Sequence, residues 1–154
     1  MLNEDLLPLT RAEFDDIYGR VPRLNVEVVI RTAAGVLLTL RNIEPCRGQW
    51  HLPGGTVRFG ETLEDAVRRV ARQELDVEVA VGPLLGYIEY PQMHAAGYRG
   101  WPIGIAFDAT VVTGEVRGSA QADEVGYFRD IPSDTIADQA DFLAAHLPES
   151  GTGH

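Results

Sequence analysis

The chain has 154 residues, enough for one domain with its own core, and its 45% hydrophobic and 23% charged residues are not those of a disordered chain. A net charge of −10 argues against nucleic acid or an anionic membrane as partner, but leaves room for small phosphorylated ligands held by local arginines and a divalent cation. No apolar run approaches a membrane span, residues 1–5 lack a basic leader, and the lone Cys46 excludes an internal disulfide, so a cytoplasmic protein is expected.

In chain order, Thr10 and Glu13 have the spacing of a capping box. A short helix over 10–19 should follow, with Phe14 and Ile17 turned inward. Residues 25–31 and 36–41 read as two strands joined by a turn at Ala34-Gly35. A loop over 42–48 leads to a short extended segment, 50–53, and then to Gly54-Gly55. Residues 62–75 carry the clearest helical periodicity, with Thr62 as N-cap. Strand is expected over 77–90, bent at Gly82-Pro83, with Tyr87 packed inside. Residues 92–100 read as a mobile loop, 103–112 as strand, and 113–123 as a loop with a short strand at Val116. A last strand falls at 126–128, and Pro132 opens a helix to about Leu147. The order is that of one α+β domain over 1–154, a sheet sandwiched by helices, with no internal repeat or linker.

The chemistry concentrates between Gly54 and Val77. Gly54-Gly55 lets backbone approach a ligand and frees a carbonyl for a cation. Glu61 precedes a helix whose positive end suits its charge. A helix carboxylate such as Glu74, facing that loop, supplies oxygen to Mg²⁺ or belongs to a solvated, salt-bridged face.

This run resembles the Nudix box, G-x5-E-x7-R-E-U-x-E-E-x-G-U. Gly55, Glu61, Arg69, Glu74 and Val77 stand at matching places, after the lead-in Trp50-x-Leu52-Pro53-Gly54-Gly55. The resemblance implies an α/β/α sandwich around a mixed sheet. Val70, Gln73 and Asp76 replace a Glu, a Glu and the Gly of the box, which makes the usual cluster of several Mg²⁺ ions doubtful. Over residues 6–147 the chain is similar to the GDP-mannose mannosyl hydrolase branch, through Arg41, Pro45, Gly48-x-Trp50, Val57, Glu61-Thr62-Leu63-Glu64 and Glu74-Leu75.

That branch implies one Mg²⁺, or Mn²⁺, held by the Gly55 carbonyl, Glu74 and the Gln121 backbone oxygen. It implies a homodimer, and water attack at a sugar carbon with a nucleoside diphosphate leaving. Arg41 would reach the diphosphate, Arg69 would organise Glu61 and Glu74, and Glu27 would stand near the nucleotide. Thr56 stands where the branch has an arginine, with Arg58 close by. Ala122 stands where it has its histidine base, leaving Glu124 as the expected base beside Asp123. Tyr98 and Trp101, flanking a glycine, would contact substrate or pack. His94 is a loop histidine, and His51 serves strand packing or substrate contact.

Three functions follow. The first is hydrolysis of a nucleoside diphosphate sugar to sugar and nucleoside diphosphate. The second is pyrophosphohydrolysis of a nucleoside diphosphate derivative. The third is non-catalytic binding of a nucleotide sugar.

Overall fold

The computed structural model describes residues 9–42, 44, 46–118 and 122–147. Its elements are α1 (Arg11–Tyr18), β1 (Arg23–Thr32), β2 (Gly35–Arg41), β3 (Trp50–His51), β4 (Gly54–Thr56), α2 (Leu63–Leu75), β5 (Glu78–Glu89), α3 (Pro91–Ala95), β6 (Pro102–Thr113), β7 (Ala122–Phe128) and α4 (Ala137–His146). The sheet is mixed, in the order β3-β2-β1-β6-β5, with β4 added to β1 and β7 to β2. β1 and β6 run parallel and the other pairs antiparallel.

Alternation along β1 divides the core into two layers. Val26, Val28 and Ile30 face α2, where Ala66, Val67, Val70, Ala71 and Leu75 form the buried stripe of that helix. Val29 faces the other way, into a cluster with Leu38, Leu52, Tyr90, Phe142 and Leu143 under α4.

Helix starts follow their local signals. Thr10 caps α1 in a complete capping box, and the Thr62 hydroxyl accepts from the Asp65 N–H. α2 ends at Asp76, in the left-handed region at φ 60°, which explains the family's preference for glycine there.

Several expectations change. Gly54-Gly55 is strand, paired with Val26 and Glu27. Residues 91–95 form a short helix, because Asp138 of α4 accepts from the backbone N–H of Met93 and Gln92 at its start. Ile17 is exposed, since α1 buries no residue. Tyr87 is 65% exposed on β5. Val116 lies outside any strand, and β7 is longer than expected. α4 begins at Ala137 because Thr135 first bridges to Trp50. No helix among the described residues is long and apolar enough to cross a membrane.

Candidate active site

β4 and the first half of α2 build the site. β4 lies antiparallel to β1 and lays Gly55 against Val70, where a Cβ would come 3.1 Å from Val70 Cγ2. Val70 therefore sets hydrocarbon against the Gly55 backbone, at the position where the box that the sequence resembles has a Glu. Glu74 lies one helical turn further along the same stripe.

Arg69 is the organiser. Its Nε stands 2.6 Å from Glu61 Oε2, and Nη2 donates to Glu61 Oε1 at 2.9 Å and to the Thr56 carbonyl at 2.8 Å. Nη1 donates to Gln73 Oε1 at 2.9 Å. Glu61 also accepts from the Arg58 backbone N–H, and its side chain is 4% exposed. Burial alone would raise its pKa. The Arg69 hydrogen bonds and the Arg58 contacts outweigh burial and hold Glu61 below the usual carboxylate range. With its donors engaged in this way, Arg69 is a positioning residue; the expected catalytic contact falls to other groups.

Glu74 is half-buried and makes no hydrogen bond or ion pair among the described residues. Burial raises its pKa above the usual carboxylate value, opposed by the charges of Arg41 and Arg69. The carboxylate thus sits in the field of two guanidiniums with its oxygens available. No group of three or more potential metal-ligating side chains occurs among the described residues. Gln121 lies outside the described residues. Arg58 is half-buried beside Glu61 and Arg69, and burial and the Arg69 charge lower its pKa from the usual guanidinium value.

Two expected residues stand elsewhere. β7 pairs Val125 with Thr39 and Glu124 with Leu40, and a register shift then pairs Ala122 with Arg41. Thr39 and Arg41 alternate with Leu40, so Glu124 belongs to the sheet face opposite Arg41. It is not placed to act as the base. Glu27 is only 4% exposed. Its carboxyl accepts a short hydrogen bond from the Tyr90 hydroxyl and a longer one from Gln139 Nε2 at 3.4 Å, beneath α4. Burial, partly offset by Tyr90, Arg23 and Gln139, pushes it up to about 7. It is a buried carboxyl in the sheet instead of an open nucleotide contact.

Arg23 is a residue of the site that no motif or periodicity marks. Its guanidinium joins Tyr98, Thr56 and Asn25 by hydrogen bonds, and lies over the Phe14 ring at 5.2 Å. Tyr98 is thus tied to the residue after Gly55. His51 is structural: one ring nitrogen meets the Leu52 carbonyl at 2.8 Å and the other Thr39 Oγ1 at 3.2 Å. Burial lowers it to about 4, so the ring is neutral at pH 7.

The NUDIX domain family model matches residues 21–141. The chain belongs to the NUDIX domain family. Low-salt glycan biosynthesis protein Agl8 of Haloferax volcanii is 48% identical over 86 residues, 54% of this chain and 55% of that protein. The ADP-ribose pyrophosphatase of Methanocaldococcus jannaschii is 35% identical over 107 residues, 70% of this chain and 62% of that one. The chain thus spans between half and two thirds of these curated relatives. Among solved structures, a MutT NUDIX hydrolase from Burkholderia pseudomallei superposes with a TM-score of 0.73 at 26% identity, over 82% of this chain and 98% of that one.

Proposed function

We propose that this NUDIX chain is a divalent-cation-dependent hydrolase of a nucleoside diphosphate sugar, releasing free sugar and nucleoside diphosphate. The observation that carries this is Glu74, a half-buried carboxylate that makes no hydrogen bond among the described residues and feels the charges of Arg41 and Arg69. Bound Mg²⁺ or Mn²⁺ would neutralise charge on the diphosphate. Glu74 and the Gly55 carbonyl would hold it, with the Gln121 backbone oxygen as a further ligand. Arg41 meets the diphosphate oxygen that takes the bonding pair when water adds to the sugar carbon. Arg69 keeps the Thr56 carbonyl and Glu61 fixed, and so keeps Gly55 in place. Tyr98 and Arg58 border the substrate.

Val70 and Gln73, standing where the Nudix box has two carboxylates, support attack at carbon, where the metal assists only the leaving group. The glycan-biosynthesis relative agrees with a sugar nucleotide. Cleavage of the phosphoanhydride is the alternative, favoured by the likeness to an ADP-ribose pyrophosphatase. A panel of nucleoside diphosphate sugars with Mg²⁺, followed by product identification, separates them. Free sugar and nucleoside diphosphate are expected. Sugar phosphate and nucleoside monophosphate would show attack at phosphorus, and absence of turnover would leave a binding module. The protein is expected to act as a cytoplasmic homodimer, and sedimentation tests its assembly.

A further inference from the structure

A cleft of about 290 Å³ opens between the turn that follows α1 and the segment from α3 to β6. One wall is Tyr18, Arg20 and Val21, and the other is His94, Arg99 and Trp101. No acidic side chain among the described residues lines it, in a chain with 23 acids and 13 basic residues. Arg20 pairs with Asp16 at 3.1 Å in an exposed contact, which contributes little. Arg99 makes no ion pair among the described residues. The cleft is therefore locally basic on an acidic protein.

It is also aromatic. Trp101 is 43% exposed. His94 meets it edge-to-face, with centroids 5.0 Å apart and planes at 79°. Such a rim suits a flat ring stacked on the indole.

Both walls are already held in place. Asp138 anchors the start of α3, and the Tyr98 N–H donates to the Met93 carbonyl at 3.1 Å. The Arg23 N–H donates to the Trp101 carbonyl at 3.0 Å, joining the second wall to the start of β1. From Arg23 to Val26, the strand partner of Gly55, is three residues along β1, roughly 10 Å. That span suits a ligand with a flat base at one end and a diphosphate at the other. Part of the first wall, Tyr18 to Arg20, lies before the stretch matched by the family.

We propose that this cleft binds the nucleoside end of the substrate, with the base stacked on Trp101 and the acceptor atoms of base and ribose met by Arg99 and Arg20. The proposal rests on the nucleotide reading of the site above, but binding here needs neither metal nor turnover.

The test is titration of the full chain with GDP, ADP and UDP in the presence of EDTA, followed by tryptophan fluorescence and calorimetry. Quenching on binding is expected for at least one of them. Trp101→Ala and Arg99→Ala should each weaken binding by about tenfold or more. Trp101→Phe should keep most of the affinity while losing most of the quench. Val112→Ser, at the far end of β6, should change nothing. No binding by any of the three nucleotides would overturn the proposal. So would affinities untouched by both alanine variants, or inorganic pyrophosphate binding as tightly as the nucleotides. Metal-free binding that responds to Trp101, together with no hydrolysis of any sugar nucleotide under Mg²⁺, would keep the cleft and remove the catalytic reading. Hydrolysis without an effect of Trp101→Ala on metal-free affinity would do the reverse.

Discussion

Arg69 and Glu61 form a two-pronged ion pair, with contacts of 2.6 and 2.9 Å, while the same guanidinium holds the Thr56 carbonyl. Arg69→Met would strand a carboxylate whose side chain is 4% exposed, at a cost of about 3–5 kcal/mol. Arg69→Lys should recover only part of this, since an ammonium cannot make the paired contact. The acid dependence has a definite sign. Because Glu61 is held below its ordinary value, its contribution is present above that value and is lost as pH falls through the folded one. Urea titrations from pH 7 into acid should show a steeper loss for the parent chain than for Arg69→Met.

Glu74→Gln should lower metal-dependent turnover by about 10²-fold or more while leaving the circular dichroism unchanged. Glu124 lies on the opposite face from Arg41. Glu124→Gln should therefore stay within about threefold of the parent, well short of the 10²–10⁴-fold a general base contributes. A large loss in Glu124→Gln with unchanged substrate affinity would contradict this placement. Ala122→His, at the register position opposite Arg41, should raise sugar release.

Glu27 titrates near 7 in the fold against 4.5 in an open chain. Between those values the folded chain keeps a proton that the unfolded chain gives up. Stability is therefore fully present below about 4.5 and falls as pH rises through 7, by on the order of 3 kcal/mol. Glu27→Gln keeps an acceptor for the Tyr90 hydroxyl and removes the charge. Its unfolding free energy should exceed the parent's at pH 8 and converge with it in acid.

Gly104 is buried beside the same carboxyl. A Cβ there would stand 2.7 Å from Glu27 Oε2 and 2.8 Å from its Cγ, and its three nearest neighbours all belong to Glu27. Gly104→Ala should cost about 1–3 kcal/mol by overpacking. In a Glu27→Ala background most of that cost should vanish, which a double-mutant cycle measures directly.

Asp76 ends α2 at φ 60° and ψ 40°, a conformation that L-residues adopt at a cost. Asp76→Gly should stabilise the chain by up to about 1 kcal/mol, read as a rise in Tm.

The parts legible in the sequence were those whose causes are local. Thr10 with Glu13, and Thr62 with its helical stripe, carry their own start signals, and both helices begin where those signals stand. The family fold was legible too, because Gly55, Glu61 and Arg69 keep a long, specific spacing. What escaped depends on distant partners. α3 is fixed by Asp138, 45 residues from Met93, and no local pattern announces it. The face taken by Glu124 depends on a register shift opposite Leu40 and Arg41, and an alternation count that misses the shift misplaces the side chain. Tyr87 resembles a core residue by composition, yet it lies on the exposed face of β5, the last strand in the sheet order. The resemblance sets Glu27 near the nucleotide, and its burial escapes a local reading because Tyr90 and Gln139, which enclose it, arrive from much later in the chain.

β1 takes hydrogen bonds from β4 on one side and from β6 on the other, and its far end turns into β2. The β6 pairing runs through eight consecutive residue pairs, from Arg23 with Pro102 to Ile30 with Ala109. During synthesis, β1 and the whole glycine-rich loop therefore emerge long before the strand that completes them. Until residue 109 has been made, a strand whose five residues from Val26 to Ile30 are all buried in the fold carries an open edge, the kind that pairs with neighbouring chains. Closing it brings together segments separated by half the sequence, an intrinsically slow event. The strand that sets Gly55 in register is thus the one most exposed to misassembly on a crowded ribosome.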